Sequence, residues 1–245
     1  MTVPSAAAAN QFSGSTVILT GVGRRGQVGE VVAAEFGGTG ANLVLIDRDT
    51  DGVNECAADI ASRGWTAHPF SCDLTNAVET GEVADRISRL APSGVAAVVH
   101  MAGGYAEGAP VADTDPTTWH KLFAINLTTA FVATRAFLPL VRQARGAMVY
   151  FASAAALPGA SVAKMSAYAG AKGGVVTLMR AVAAEERAHG VRANALAPQA
   201  IRTEANLTSM GDDQRYVERE TVAAWVLWLC SIAAGPVSGQ VIRLG

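Results

Sequence analysis

The chain has 245 residues, half of them apolar, with 19 basic and 21 acidic side chains giving a formal charge of -2. That is enough apolar chain for one substantial core, and the near-neutral balance, without a basic run of five, excludes the electrostatic footprint of a nucleic-acid binder. Cys56, Cys72 and Cys230 lie far apart with no C-x-x-C pair, so neither a disulfide framework nor a zinc site is expected, and a reducing, cytoplasmic setting fits best.

Met1 to Asn10 has no positively charged start and no long apolar stretch, so it reads as a fraying terminus rather than a signal peptide. Residues 1–13 are therefore expected to be flexible and residues 14–245 to form one domain. A first strand is predicted at Thr16 to Thr20, followed by a glycine-rich turn and a helix over Val28 to Phe36. Strands follow at Leu43 to Asp47 and Thr66 to Cys72, a helix at Val78 to Leu90, and a strand at Val95 to His100. Helical spacing then covers Trp119 to Arg142, ahead of a strand at Ala147 to Phe151 and a helix at Ala167 to His189. The chain ends on a strand at Val191 to Leu196, a helix at Thr221 to Cys230 and a strand at Gln240 to Leu244. Apolar strands alternating with helices predict an α/β fold, a doubly wound, mainly parallel seven-stranded sheet flanked by helices. The longest apolar run, roughly Thr221 to Ala234, is shorter than the roughly 20 residues of a membrane span, so no membrane attachment is expected.

In such folds ligands sit at the carboxyl ends of the strands. Directly after the first strand comes Thr20-Gly21-Val22-Gly23-Arg24-Arg25-Gly26-Gln27-Val28-Gly29. Glycines there let the backbone approach a pyrophosphate, and the exposed N–H groups of the helix start favour the anion. The turn has the context of a Rossmann-type fingerprint: strand before, helix after, and Asp47 closing the next strand 18 residues beyond Gly29. Gly21, Gly23, Arg25, Gly26, Gln27 and Val28 are thus candidate cofactor contacts. Asp47 would accept hydrogen bonds from ribose hydroxyls and favour NAD, whereas Arg24, Arg25 and Arg48 would favour NADP by pairing with a 2′-phosphate.

Tyr168-Ala169-Gly170-Ala171-Lys172 places a phenol and an ammonium on one helical face, a single turn apart. An ammonium beside a phenol is expected to lower its pKa towards the working range of an acid/base catalyst. Asn126, Ser153 and Ala102-Gly103-Gly104 lie near other strand ends. As structural residues, Ser153 and Thr203 would be caps and Asn126 an internal bonding residue of its helix. His68, His100, His120 and His189 have no ligand-like spacing, so no metal is expected.

From about Thr16 onward the chain resembles the classical short-chain dehydrogenases/reductases. The glycine-rich turn, Asp73-Leu74, His100-Met101-Ala102-Gly103, Asn126, Ser153, the Tyr168/Lys172 pair and Arg192 to Pro198 carry the likeness. The resemblance implies that Tyr168 exchanges a proton with the substrate oxygen, Lys172 tunes it and holds the nicotinamide ribose, Ser153 polarises the carbonyl, and Asn126 holds a water. It places Asp73 and Leu74 at the adenine, Ala102, Gly103 and Pro198 beside the cofactor, and Ile201 and Thr203 at the carboxamide. It also implies a small-molecule alcohol or ketone substrate, a short lid near 202–219, and a homotetramer, or a homodimer, through the two long helices.

The chain departs from the family pattern in places. Its glycine-rich turn is two residues longer than usual, the stretch between Ser153 and Tyr168 is also longer, and His100-Met101 replaces a pair of asparagines. An enoyl reductase is the alternative activity, disfavoured because Met165 stands where such enzymes carry their tyrosine. A non-catalytic dinucleotide-binding sensor is the alternative from another class.

Overall fold

Strands form where aliphatic and β-branched residues run without interruption between glycines and polar turns. The computed structural model describes residues 10–106, 108–213 and 215–245. Its strands are β1 Thr16–Thr20, β2 Asn42–Asp47, β3 Ala67–Ser71, β4 Val95–His100, β5 Ala147–Phe151, β6 Arg192–Pro198 and β7 Val241–Leu244. They form one parallel sheet in the order β3-β2-β1-β4-β5-β6-β7. The chain winds outward in both directions from β1 and β4, which opens a crevice at their carboxyl ends.

The helices are α1 Val28–Gly38, α2 Thr50–Ser62, α3 Ala77–Leu90, α4 Pro116–Phe123, α5 Thr129–Ala144, α6 Ser166–Glu185, α7 Glu204–Met210 and α8 Arg219–Cys230. Alternation along each strand sends side chains to two cores. Val17, Leu19, Leu43, Leu45 and Val149 pack with Phe36 of α1, Ile60 of α2 and Val226 of α8. Ile18, Val44, Val98 and Met148 pack with Ile87 of α3, Phe137 of α5 and Met179 of α6.

Three expectations need correction. The single helix over Trp119 to Arg142 begins earlier, at Pro116, where Asp115 caps it by accepting from Thr117 N at 3.0 Å. It also passes through a π turn at Ala124–Thr128, and periodicity alone does not reveal such an insertion. Together Pro116–Ala144 forms 29 residues of helix with a mean hydropathy of 1.4 in its most apolar window, long and apolar enough to cross a membrane by length and composition. Its apolar residues are interrupted by polar ones, so no single run marks it; in this fold 44% of the window is buried within the protein.

Of the terminus expected to be flexible, residues 1–9 lie outside the described residues, and residues 10–14 form a turn. Phe12 is buried there, edge-on to Phe36 with ring centroids 5.2 Å apart. An aromatic ring inserted into the core ties down chain that composition alone marks as loose.

Candidate active site

The crevice gathers side chains from three strand ends. Helix α6 starts at Ser166, so Tyr168 lies in its first turn and Lys172 one turn deeper, at 6% exposure. Lys172 Nζ donates to the carbonyl of Phe151, the last residue of β5, at 2.8 Å. Ser153 follows that strand and caps a short 3-10 turn, its Oγ accepting from Ala155 N at 3.2 Å. The same serine stands beside the Tyr168 hydroxyl and acts to lower its pKa.

Asn126 sits in the π turn and is 1% exposed. Its Nδ2 donates to the carbonyls of Gly104 at 2.9 Å and Leu122 at 3.0 Å, and its Oδ1 accepts from Gly104 N at 3.1 Å. The loop after β4 is thereby clamped to the helix. Gly103 allows this approach, because a Cβ there would lie 2.6 Å from Asn126 Oδ1 and 3.3 Å from Lys172 Nζ.

Burial dominates the electrostatics. It pushes the Lys172 ammonium down to about 8. The Tyr168 phenol stands above its usual value, chiefly through burial; the Ser153 hydrogen bond acts to lower it and Tyr105 to raise it. The expected lowering by the neighbouring ammonium is not found: Lys172 is not among the groups acting on the phenol, and burial sets the direction.

The glycine-rich turn packs between β1, β4 and α2. Gly21 has φ +77°, and a Cβ on it would lie 2.6 Å from Ala102 N, so only glycine fits. Ala102 N itself donates to Thr20 Oγ1 at 3.2 Å. Gly23 N donates to Asp47 Oδ2 at 2.8 Å, while Asp47 Oδ1 accepts from Asp49 N at 3.0 Å. Gly26 N donates to Glu30 Oε2 at 2.9 Å. Gln27 is the N-cap of α1 and Val28 its first residue. Arg25 turns outward, 3.3 Å from Glu55 of α2, with both side chains largely exposed. Arg48 is exposed and helps to hold the Asp73 carboxyl below its usual range, behind the larger effect of hydrogen bonds from Thr75. Leu74 is buried in a core cluster with Val83 and Ile87. Pro198 ends β6, Ile201 bridges to Val217, and Thr203 caps α7 by accepting from Asn206 N at 3.2 Å.

The structure thus brings Asn126, Gly103, Ser153, Tyr168 and Lys172 into one cluster, and Gly21, Gly23, Ala102 and Asp47 into a second. Arg25 and Leu74 face away from both. Two participants had no local sequence signal. Tyr105 stands edge-on to Tyr168 with centroids 5.3 Å apart, and Glu204 at the start of α7 lies against Gly26. A cavity of about 340 Å³ opens beside Tyr168, lined by Gly108, Asp113, Thr118, Leu122 and Met165. Among the described residues no group of three His, Cys, Asp or Glu side chains could hold a metal.

The close backbone approach at Gly21 and Gly103, beside a helix N-terminus and a buried ammonium, fits a dinucleotide across the two clusters. A family model described as short chain dehydrogenase matches residues 15–213. Galactitol 2-dehydrogenase (L-tagatose-forming) of Cereibacter sphaeroides is 32% identical, covering 96% of this chain and 94% of its own length. The inactive 2-(S)-hydroxypropyl-CoM dehydrogenase 2 of Xanthobacter autotrophicus is also 32% identical, covering 84% of this chain and 94% of its own. A Beutenbergia cavernae protein solved with NADP at low occupancy superposes with a TM-score of 0.84 at 30% identity, covering 94% of this chain and 95% of its own. With this family match spanning the sheet, the crevice and both clusters, the chain belongs to the short-chain dehydrogenase/reductase family of oxidoreductases.

Proposed function

We propose that the protein interconverts an alcohol and a carbonyl on a small molecule, using NAD(P) as hydride carrier and Tyr168 as the proton carrier. The observation that carries this reading is Tyr168 at the edge of a cavity, beside the buried Ser153 and with Lys172 buried one turn below. A bound nicotinamide supplies or accepts the hydride. In the reducing direction Tyr168 Oη gives its proton to the substrate oxygen, and Ser153 Oγ holds that oxygen by a hydrogen bond. In the oxidising direction the same Oη takes the hydroxyl proton. Burial keeps the phenol protonated for the acid role; in the base role a phenolate forming there would draw on the positive charge of the Lys172 ammonium. Asn126 acts as a positioning residue, fixing the loop after β4 through both backbone groups of Gly104.

The residues that would hold the cofactor are Gly21 and the start of α1 at the pyrophosphate, Asp47 at the adenosine ribose, and Lys172 at the nicotinamide ribose. Asp47 favours NAD, and the neighbouring Arg24 and Arg48 keep NADP as the alternative. Helix α7, which lies against the glycine-rich turn, serves as a short lid over the crevice; it falls within the expected lid near 202–219, of which residue 214 lies outside the described residues. The exposed Trp119 and Phe131 on the α4–α5 run provide the apolar face for a homotetramer, which sedimentation at micromolar concentration tests.

The relative named as inactive gives substance to a second reading, a dinucleotide-binding protein without turnover. Absorbance at the reduced-nicotinamide band, with NAD and NADP against polyols, secondary alcohols and their ketones, separates the two. Turnover that vanishes in Tyr168→Phe supports the enzyme; cofactor binding without turnover in both proteins supports the sensor.

A further inference from the structure

At the opposite end of the sheet from Tyr168 lies a cavity of about 1020 Å³. Its walls include residues at the amino ends of the strands: Ser15 before β1, Gly146 before β5, Arg192 at the start of β6 and Gly239 before β7. Among the described residues four arginines line it, Arg145, Arg180, Arg187 and Arg192, and no acidic side chain does. Arg192 is engaged, donating to the carbonyls of Leu229 at 2.6 Å and Ser231 at 2.9 Å and so closing the carboxyl end of α8. The other three are exposed and, among the described residues, none pairs with a carboxylate. Glu186, the buried acid nearest in sequence to Arg187, is bound bidentately by Arg142, and Glu185 also acts on Arg142.

Two features make this more than a charged surface. The Arg145 residue is held in the left-handed region at φ +51°, with its aliphatic stem beside Gly190, which aims the side chain from the end of α5. Gln11 Nε2, on the same cavity, is a buried donor without a hydrogen-bond partner among the described residues. A turn of this side chain towards the cavity would offer the unpaired donor to a ligand's acceptor oxygen and relieve the cost of leaving it unsatisfied. Guanidinium forks match phosphate oxygens bidentately, and the volume is that of an organic ligand site. Phe12, Ile232 and Pro236 add an apolar wall.

We propose that this cavity is a second ligand site, which binds a multivalent phosphate. It is separate from the glycine-rich turn, and helix α6, with Tyr168 near its start and Arg180 near its end, links it to the Tyr168 cluster.

Isothermal titration of the whole protein with tripolyphosphate tests it, at fixed ionic strength and with saturating NAD to cover the turn; a parallel arm uses ATP. Saturable binding is expected, weakened at least about tenfold in Arg145→Gln/Arg180→Gln/Arg187→Gln. A matched charge loss elsewhere, Arg63→Gln/Arg86→Gln/Arg89→Gln, should leave the affinity within about twofold if the effect is local rather than a bulk field. Tighter binding of ATP than of tripolyphosphate identifies a nucleotide resting on the apolar wall, and equal binding identifies the phosphate chain alone. No saturable binding, unchanged affinity in the first triple variant, or equal loss in both variants would overturn the proposal.

Discussion

Replacing Lys172 with methionine separates stability from activity. Burial lowers this ammonium from 10.5 to about 8, so at neutral pH the native state carries a desolvation penalty of roughly 3 kcal/mol relative to the unfolded chain. Lys172→Met removes that penalty and also removes the charged hydrogen bond to the Phe151 carbonyl, worth roughly 2 kcal/mol. The net expectation at pH 7 is a variant more stable by about 1 kcal/mol, a gain of roughly 2–4 °C in Tm at this length, with turnover lost. The sign reverses with pH. Above pH 8 the native lysine releases its proton while the unfolded one keeps it up to 10.5, so the wild-type protein gains stability as pH rises. Between pH 7 and pH 10 the difference between the two proteins should therefore move by roughly 2 to 3 kcal/mol in favour of wild type. Urea unfolding at the two pH values measures this directly, and taking the difference cancels other titrating groups. A difference that stays constant across that range would refute the assignment of Lys172 as a desolvated ammonium.

Three further outcomes follow from the same geometry. Burial holds His100 neutral, pushing it down to about 3, so only the unfolded chain takes up its proton below 6.5; stability should fall by about 2 kcal/mol between pH 6.5 and pH 5, and His100→Asn should flatten that slope in urea midpoints. Gly21→Ala forces a Cβ against Ala102 N at positive φ, and should cost about 2 kcal/mol or more in unfolding free energy while weakening cofactor binding in fluorescence titrations. Asp47→Ser removes the carboxylate that receives Gly23 N, and should shift the ratio of kcat/KM for NAD over NADP by about tenfold towards NADP; an unchanged ratio would place cofactor selection elsewhere.

Strands β1, β4 and β5 have the bounds that the sequence predicts, because runs such as Val17-Ile18-Leu19 and Met148-Val149-Tyr150 are buried on both faces between polar or glycine ends. Helix α2 is far less legible: Val53, Ala57 and Ile60 are its only buried residues among Gly52, Asn54 and several charges, and its start rests on the Asp49 cap. The π turn at Asn126 escapes notice because its cause is a tertiary clamp, the two bonds to Gly104. The Tyr168/Lys172 pair is legible from spacing within one helix. The placements of Tyr105 and Glu204 are not, since each meets its partner only after distant loops have folded together. Nor is the direction of the Tyr168 shift legible, since spacing shows a neighbouring charge but not the depth of burial around the phenol.

The most direct measurement compares kcat and cofactor Kd for the native protein and Tyr168→Phe, which deletes one hydroxyl and leaves the ring. Loss of the proton carrier should lower kcat by about 100-fold or more while the cofactor Kd stays within about twofold. Turnover by Tyr168→Phe within about threefold of the native rate would contradict a proton path through that phenol.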